Sequence, residues 1–265
     1  MTAYTSIGVE THGHVGLVEI RKPPLNFFDV VLIREIGSAF DAFDADPNIR
    51  ATVLAAQGKV FCAGADFGDG RALNNSGQLE GNLPQGIVGN LYQEAVRLYR
   101  LKKPMVGAIQ GAAVGGGLGL AVVPDFRVAA PEARFCANFT RLGFHPGFGL
   151  TTTLPRVVGH QNAALMFYTS RRFTGEEAQR MGLVDVLVPL ADVRKEALKL
   201  AAEIAENSPL GTLSTRATMR QGLADAVAKT TDHELAEQDK LRETADFKEG
   251  VKAVAERRVP NFVGR

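Results

Sequence analysis

Through roughly the first 190 positions the chain alternates short apolar runs with amphipathic stretches, and only amphipathic stretches follow. Residues 7–10 and 15–20 keep the two-residue period of half-buried strands around Thr11-His12-Gly13-His14, which predicts a hairpin. Pro23-Pro24 stops the second strand. Asp29 is placed to cap a helix running to about residue 44, with Val30, Ile33, Ile36, Phe40 and Phe43 on one face. A strand is predicted over 51–56, a helix ending near 102, and a buried strand before Gly111. Residues 118–123 are apolar and small enough for a buried helix turn. Further strands are expected over 126–130, 134–136 and 184–188, with helices near 148–158, 162–169 and 174–181. From 191 helical periodicity runs to about 258, with breaks at Asn207-Ser208-Pro209 and near Thr230-Thr231. Alternating strands and helices followed by helices alone imply an α/β core with a helical C-terminal part. No internal repeat of fixed length is detectable beyond that rhythm.

One segment breaks the pattern. Residues 68–89 hold Asn74-Asn75-Ser76-Gly77 and Asn82-Leu83-Pro84 with little periodicity, and long irregular segments within compact domains are usually functional or mobile.

Composition narrows the class. The chain has 265 residues, a net charge of +1 and two cysteines, Cys62 and Cys136. That charge gives no reason to expect nucleic acid or an anionic membrane as main partner. Two cysteines in apolar runs make no disulfide framework and read as buried thiols of a reduced, cytoplasmic protein. The N-terminus lacks the basic and apolar regions of a secretory signal, and the longest apolar run, over 111–123, is too short for a membrane span. His12 and His14 lack a further ligand nearby and read as a solvated turn.

Candidate chemistry centres on residues 110–125, Q-G-A-A-V-G-G-G-L-G-L-A-V-V-P-D. Gly115, Gly116 and Gly117 join a buried strand to a helix start, where free N–H groups can hold a phosphate, a carboxylate or a developing oxyanion. The dinucleotide spacing fails because its third position falls on Val122, and a P-loop lysine is absent. Glycines that only permit close packing are the plain alternative. A second loop, Val60-Phe61-Cys62-Ala63-Gly64-Ala65-Asp66, also ends an apolar run. Two such loops can each aim one N–H at a single carbonyl oxygen.

F-C-A-G-A-D at 61–66 with K-P-x6-G-x3-G-G-G at 103–117 resembles the crotonase, or enoyl-CoA hydratase/isomerase, superfamily. The resemblance continues through P-D-F-R-V-A at 124–129, L-G-x2-P-G at 142–147 and F-T-G-E-E-A at 173–178. It implies a spiral of ββα repeats over 1–190 that binds acyl-CoA. It also implies a C-terminal helical region over 191–265 that assembles a homotrimer or a dimer of trimers. The oxyanion N–H groups then fall on Ala65 and Gly116. Ala63 falls at a main-chain contact to the CoA adenine, residues 68–89 cover the acyl pocket, and no cofactor beyond CoA is implied.

The same resemblance puts the two hydratase glutamates at Gly119 and Phe139, neither of which transfers a proton. A dehalogenase-like branch would need an aspartate and a histidine where this chain has Gly147 and Tyr92. The remaining polar candidates are Tyr92, His145, Asp66, Asp69 and Glu94, with Asp66 the expected cap of the helix after its loop. Arg97, Arg100, Lys102 and Lys103 read as a solvated face with an option on CoA phosphates. Arg257, Arg258 and Phe262 lie where some family members complete a neighbour's CoA site. Two functions stay open: an enzyme acting on an enoyl- or 3-oxoacyl-CoA through an enolate, or a non-catalytic acyl-CoA binder that kept the pocket.

Overall fold

The computed structural model describes residues 4–65 and 91–265. Asp66, Asp69 and the 68–89 segment lie outside the described residues.

The amino-terminal strands β1 (Ile7–His12) and β2 (Val15–Ile20) form the antiparallel hairpin, with Gly13 in the left-handed conformation of its turn (φ 58°). Helix α1 (Val30–Ala45) is capped by Asp29, whose carboxylate accepts from the Leu32 amide at 2.8 Å. It is followed by β3 (Ala51–Ala56) and, across the gap in the described residues, by α2 (Leu91–Tyr99). Helix α2 stops short of the expected residue 102. The Asp44 carboxylate takes the Lys102 and Lys103 amides at 2.8 and 3.0 Å, and Pro104 follows.

Next come β4 (Met105–Ile109), β5 (Ala112–Val114), α3 (Gly116–Val122), β6 (Phe126–Ala129), β7 (Arg134–Cys136) and α4 (Leu150–Thr169). The two helices expected near 148–158 and 162–169 are the two arms of α4, parted at Gly159, whose φ of 77° no helix interior accepts. Then β8 (Phe173–Thr174), α5 (Gly175–Arg180) and β9 (Val186–Leu187) complete the strands. The last of these is shorter than the predicted 184–188.

Strands β1-β2-β3-β4-β6-β9 make a six-stranded sheet, parallel from β2 onward, and β5-β7-β8 make a smaller one. Successive turns give one strand to each sheet and then a helix: β4, β5 and α3, then β6, β7 and α4. Among the described residues, the turn after β3 contributes a parallel bridge from Cys62 to Ala113. This is the ββα spiral that the sequence implies.

Four helices follow: α6 (Val193–Ala205), α7 (Pro209–Met219), α8 (Leu223–Arg242) and α9 (Ala245–Ala255). The break at 207–209 is observed, with Ser208 capping α7. The break expected near Thr230-Thr231 is not. Helix α8 runs through both residues, because Thr231 is buried and the Thr230 hydroxyl meets that of Thr152 at 2.5 Å. The chain turns instead at Gly222 (φ 73°).

The helices are not a separate layer. Val193, Ala197, Ala201 and Ala205 form a stripe at every fourth position of α6, buried against Val15, Leu17, Ala51, Val53 and Val106 of the large sheet. Alanine at three of those four places lets the helix lie close to the strands. The main core lies on the other face of the sheet, among α1, α2, α3 and α4. Helix α8 packs on α2 and α4. Among the described residues no helix is long and apolar enough to cross a membrane.

Candidate active site

The site is built where the chain leaves β3 and where it leaves β5. The two loops are laced backbone to backbone. The Phe61 and Cys62 amides donate to the Ala112 carbonyl at 3.1 and 3.0 Å, and the Val114 amide donates to the Cys62 carbonyl at 3.0 Å. Gly115 donates to the Cys136 carbonyl at 2.8 Å, which ties in β7. Asn26 fastens the first loop from behind. Its amide nitrogen donates to the Gln57 and Val60 carbonyls at 2.8 and 2.7 Å, and it is fully buried with φ at 49°.

This lacing leaves no room for side chains. A methyl group on Gly64 would lie 2.7 Å from the Val114 carbonyl oxygen and 3.6 Å from the Gly116 nitrogen. One on Gly117 would lie 2.1 Å from the Cys62 carbonyl oxygen. Gly115 has φ at 56°, where larger residues are strained. Close packing is therefore a sufficient reason for Gly64 and Gly117. Gly116 begins α3, and the first-turn amides of a helix have no intrahelical acceptor. Ala65, which follows Gly64, is half-buried.

A wall of aromatic rings faces α3. A methyl on Gly116 would meet Phe28 at 2.1 Å, and one on Gly119 would meet the Phe148 ring at 2.6 Å. Phe28 and Phe148 are 5.9 Å apart between centroids, and Tyr92 stands edge-on to Phe148 at 6.2 Å. Phe148 itself has a left-handed backbone (φ 68°), unusual for a bulky residue. Phe139 is buried, 5.7 Å from Phe144, with its ring edge near Gly115. Both positions that the resemblance gives to glutamate are thus inside apolar packing.

The polar candidates gather on the α8 side. Tyr92 is buried and hydrogen-bonded to Gln238, and burial pushes its phenol up to about 12. Such a group donates a hydrogen bond and does not serve as a base. His145 is half-buried, with Nδ1 2.8 Å from the Pro146 carbonyl oxygen. A carbonyl only accepts, so Nδ1 carries the hydrogen and Nε2 holds the free lone pair of the neutral ring. The His233 ring lies 6.1 Å away, and the His145 carbonyl accepts from Gln238 Nε2 at 2.8 Å. Gln238 therefore joins Tyr92 and His145. Gly147 lies between them, since a methyl there would lie 2.7 Å from both Tyr92 and Gln238.

Sequence reasoning missed Glu234. It is fully buried and accepts from the Gly149 amide (2.7 Å), the Thr151 amide (2.9 Å) and the Thr151 hydroxyl (2.6 Å), closing the start of α4 from a distance. Burial pushes its carboxyl up to about 7, against the pull of those donors. Asn26, Phe28, Phe148 and Gln238 were missed as well. Asn26, two residues beyond Pro23-Pro24, was the nearest thing to a signal, because asparagine tolerates a left-handed turn.

Other candidates have structural duties. Glu94 pairs with Arg34 at 2.7 Å, Arg97 with Asp41, and Arg100 with Asp225 at 3.0 Å. Lys103 corrects the expectation of a solvated face: it is buried, and its ammonium donates to the Phe43 and Asp46 carbonyls. Arg258 is held by Glu249 and Glu256. Cys62 and Cys136 are buried thiols, pushed up to about 12 and about 11 by desolvation. Among the described residues no group of three or more His, Cys, Asp or Glu is placed to hold a metal.

The chain resembles known proteins over nearly its whole length. The family profile described as enoyl-CoA hydratase/isomerase matches residues 10–265. A probable enoyl-CoA hydratase of Rhizobium meliloti is 33% identical over 264 residues, covering 99% of this chain and 100% of the relative. A crotonyl-CoA hydratase of Syntrophomonas wolfei is 32% identical over 266 residues, covering 99% and 100%. The crystal structure of an enoyl-CoA hydratase/isomerase from Pseudoalteromonas atlantica superposes with a TM-score of 0.85 at 26% identity, covering 98% of this chain and 100% of that one.

Proposed function

The chain belongs to the enoyl-CoA hydratase/isomerase family, and from that premise we propose that it binds an acyl-CoA thioester and stabilises its enolate. The thioester oxygen lies between the N–H groups of Ala65 and Gly116. Two donors fixed in advance favour the oxygen as it gains charge, and loss of one such donor typically costs roughly 3 kcal/mol in the transition state. The observation carrying this reading is the lacing of the two loops, which brings the Gly64 end of one against the Gly116 nitrogen of the other. The Ala63 amide is spent on the Leu25 carbonyl at 3.0 Å, so a main-chain contact to adenine falls to its own carbonyl. Asp66 stays a proposed binding residue from the sequence.

The acid–base chemistry in this reading is not that of a glutamate pair. His145 Nε2 is the base, Tyr92 donates a hydrogen bond, and Gly119 and Phe139 line the acyl group. No cofactor beyond CoA enters the reaction. The protein works in the cytoplasm as a homotrimer or a dimer of trimers.

Two observations favour a second reading, a non-catalytic acyl-CoA binder. The Phe148 ring fills the space beside Gly119, and the Tyr92 phenol is no base.

The hole itself is tested without any substitution. Calorimetry compares crotonyl-CoA with the thioether analogue that lacks the carbonyl oxygen. Two hydrogen bonds of about 1 kcal/mol each predict at least tenfold tighter binding of the thioester. Equal affinities would place the carbonyl elsewhere.

A further inference from the structure

Helix α4 starts without a local cap: Gly149 stands at the cap position and has no side chain to offer. The acceptor comes from Glu234, 85 positions later and fully buried. One carboxylate oxygen takes the Gly149 amide at 2.7 Å, and the other takes the Thr151 amide and hydroxyl at 2.9 and 2.6 Å. A carboxylate at a helix N-terminus is favourably placed.

The backbone just ahead of the helix is strained. Phe148 and Gly149 follow one another with φ at 68° each. Glycine takes that conformation freely, and position 149 has room for nothing larger, since a methyl there would lie 2.6 Å from Val227 Cγ1. Phe148 has no such freedom. A bulky residue stays in this region where its surroundings over-determine it. The Gly149 N–H belongs to the peptide that leaves Phe148, so the bond to Glu234 fixes that peptide's orientation.

Helix α8 makes this grip with one face. Val227, Thr230, Glu234 and Gln238 recur at intervals of three and four. Val227 lies against Gly149, the Thr230 hydroxyl meets that of Thr152, and Gln238 Nε2 donates to the His145 carbonyl at 2.8 Å. In front of the gripped segment, the Phe148 ring lies 2.6 Å from where a side chain at Gly119 would begin. It also packs on Phe28, which faces Gly116.

We propose that Glu234 is a positioning residue for the acyl pocket: it holds Phe148 in its left-handed conformation, and through that ring sets the wall beside Gly116 and Gly119. What the wall meets rests on the acyl-CoA reading above. The hold of Glu234 on Phe148 does not.

Glu234→Gln keeps the shape of the side chain and isolates one bond. Its amide oxygen still accepts from Thr151, while its NH2 group faces the Gly149 N–H, donor against donor. In calorimetry, crotonyl-CoA is expected to bind this variant at least about tenfold more weakly than the parent, and CoA itself equally well. In a Phe148→Gly background, Glu234→Gln is expected to change neither affinity, because the ring through which it acts is gone. The proposal is overturned if crotonyl-CoA affinity is unchanged by Glu234→Gln, if CoA weakens alongside it as general damage would make it, or if the loss persists without the Phe148 ring. A crystal structure of ligand-free Glu234→Gln is expected to show Phe148 away from the parent's φ and its ring displaced from Gly119, and an unmoved Phe148 overturns the proposal. That comparison judges Glu234 even if the parent binds crotonyl-CoA no better than its thioether analogue, a result that would remove the acyl-CoA reading instead. Glu234→Asp, which draws the same acceptors back by one methylene, takes the place of Glu234→Gln if the latter does not fold. Failure of both to fold makes Glu234 a stability residue and overturns the proposal.

Discussion

Gly119 and Phe148 pack directly against each other beside the start of α3. Any side chain at 119 starts 2.6 Å from the Phe148 ring, which is held by its neighbours Phe28 and Tyr92. Gly119→Glu alone is therefore expected to overpack the site, at a cost of about 1–3 kcal/mol, and to restore no hydration. Urea unfolding and a crotonyl-CoA assay check both parts. Combining it with Phe148→Ala opens the space, and the double variant is expected to regain stability relative to Gly119→Glu. A stable single variant would mean that Phe148 swings away freely. The sequence made the glycines legible, because three in a row have few uses. It did not show which ones the packing needs: Gly117 faces Cys62, 55 positions earlier, and that meeting exists only in the fold. Phe148 was illegible for the same reason, and its left-handed backbone breaks the local rules that sequence reading relies on.

Helix α8 carries the clearest pH signature. Glu234 ties it to the start of α4, and its carboxyl is raised from 4.5 to about 7. Between those values the folded protein keeps a proton that the unfolded chain has released. Its contribution is therefore greatest below pH 4.5 and falls as pH rises to about 7, by about 3 kcal/mol over the window. Urea unfolding from pH 4.5 to 8 is expected to show this loss in the parent and a flatter profile in Glu234→Gln. The same slope in both proteins would remove Glu234 as its source. At this scale the sequence was mostly legible. The cap at Asp29, the hairpin turn and the stop at 207–209 are local, and local chemistry wrote them. The break expected near Thr230-Thr231 does not occur because neighbours across the fold hold both residues in helix. Lys103 misled in the same way, since its spacing fits an exposed face although its ammonium is enclosed by the C-terminal end of α1.

The whole molecule leaves Tyr168, Leu210 and Met219 at 80%, 79% and 70% exposure, on α4 and α7. Large apolar side chains so placed favour burial between copies. Sedimentation at micromolar concentration is expected to give a trimer or its dimer, and a stable monomer would contradict the assembly. The overall architecture was legible because the strand–helix rhythm changes once, near 190. The sequence did not foretell that α6, just beyond that change, covers the sheet. The central claim, an oxyanion hole working without two carboxylates, is tested most directly by following crotonyl-CoA by mass spectrometry in deuterated water. Two positioned proton-transfer groups each contribute about 10²–10⁴-fold, so the account predicts binding with hydration several orders of magnitude slower than in relatives that carry both. It also predicts that His145→Ala lowers whatever hydration or α-carbon deuteration is left. Rapid hydration, unchanged in His145→Ala, would contradict it.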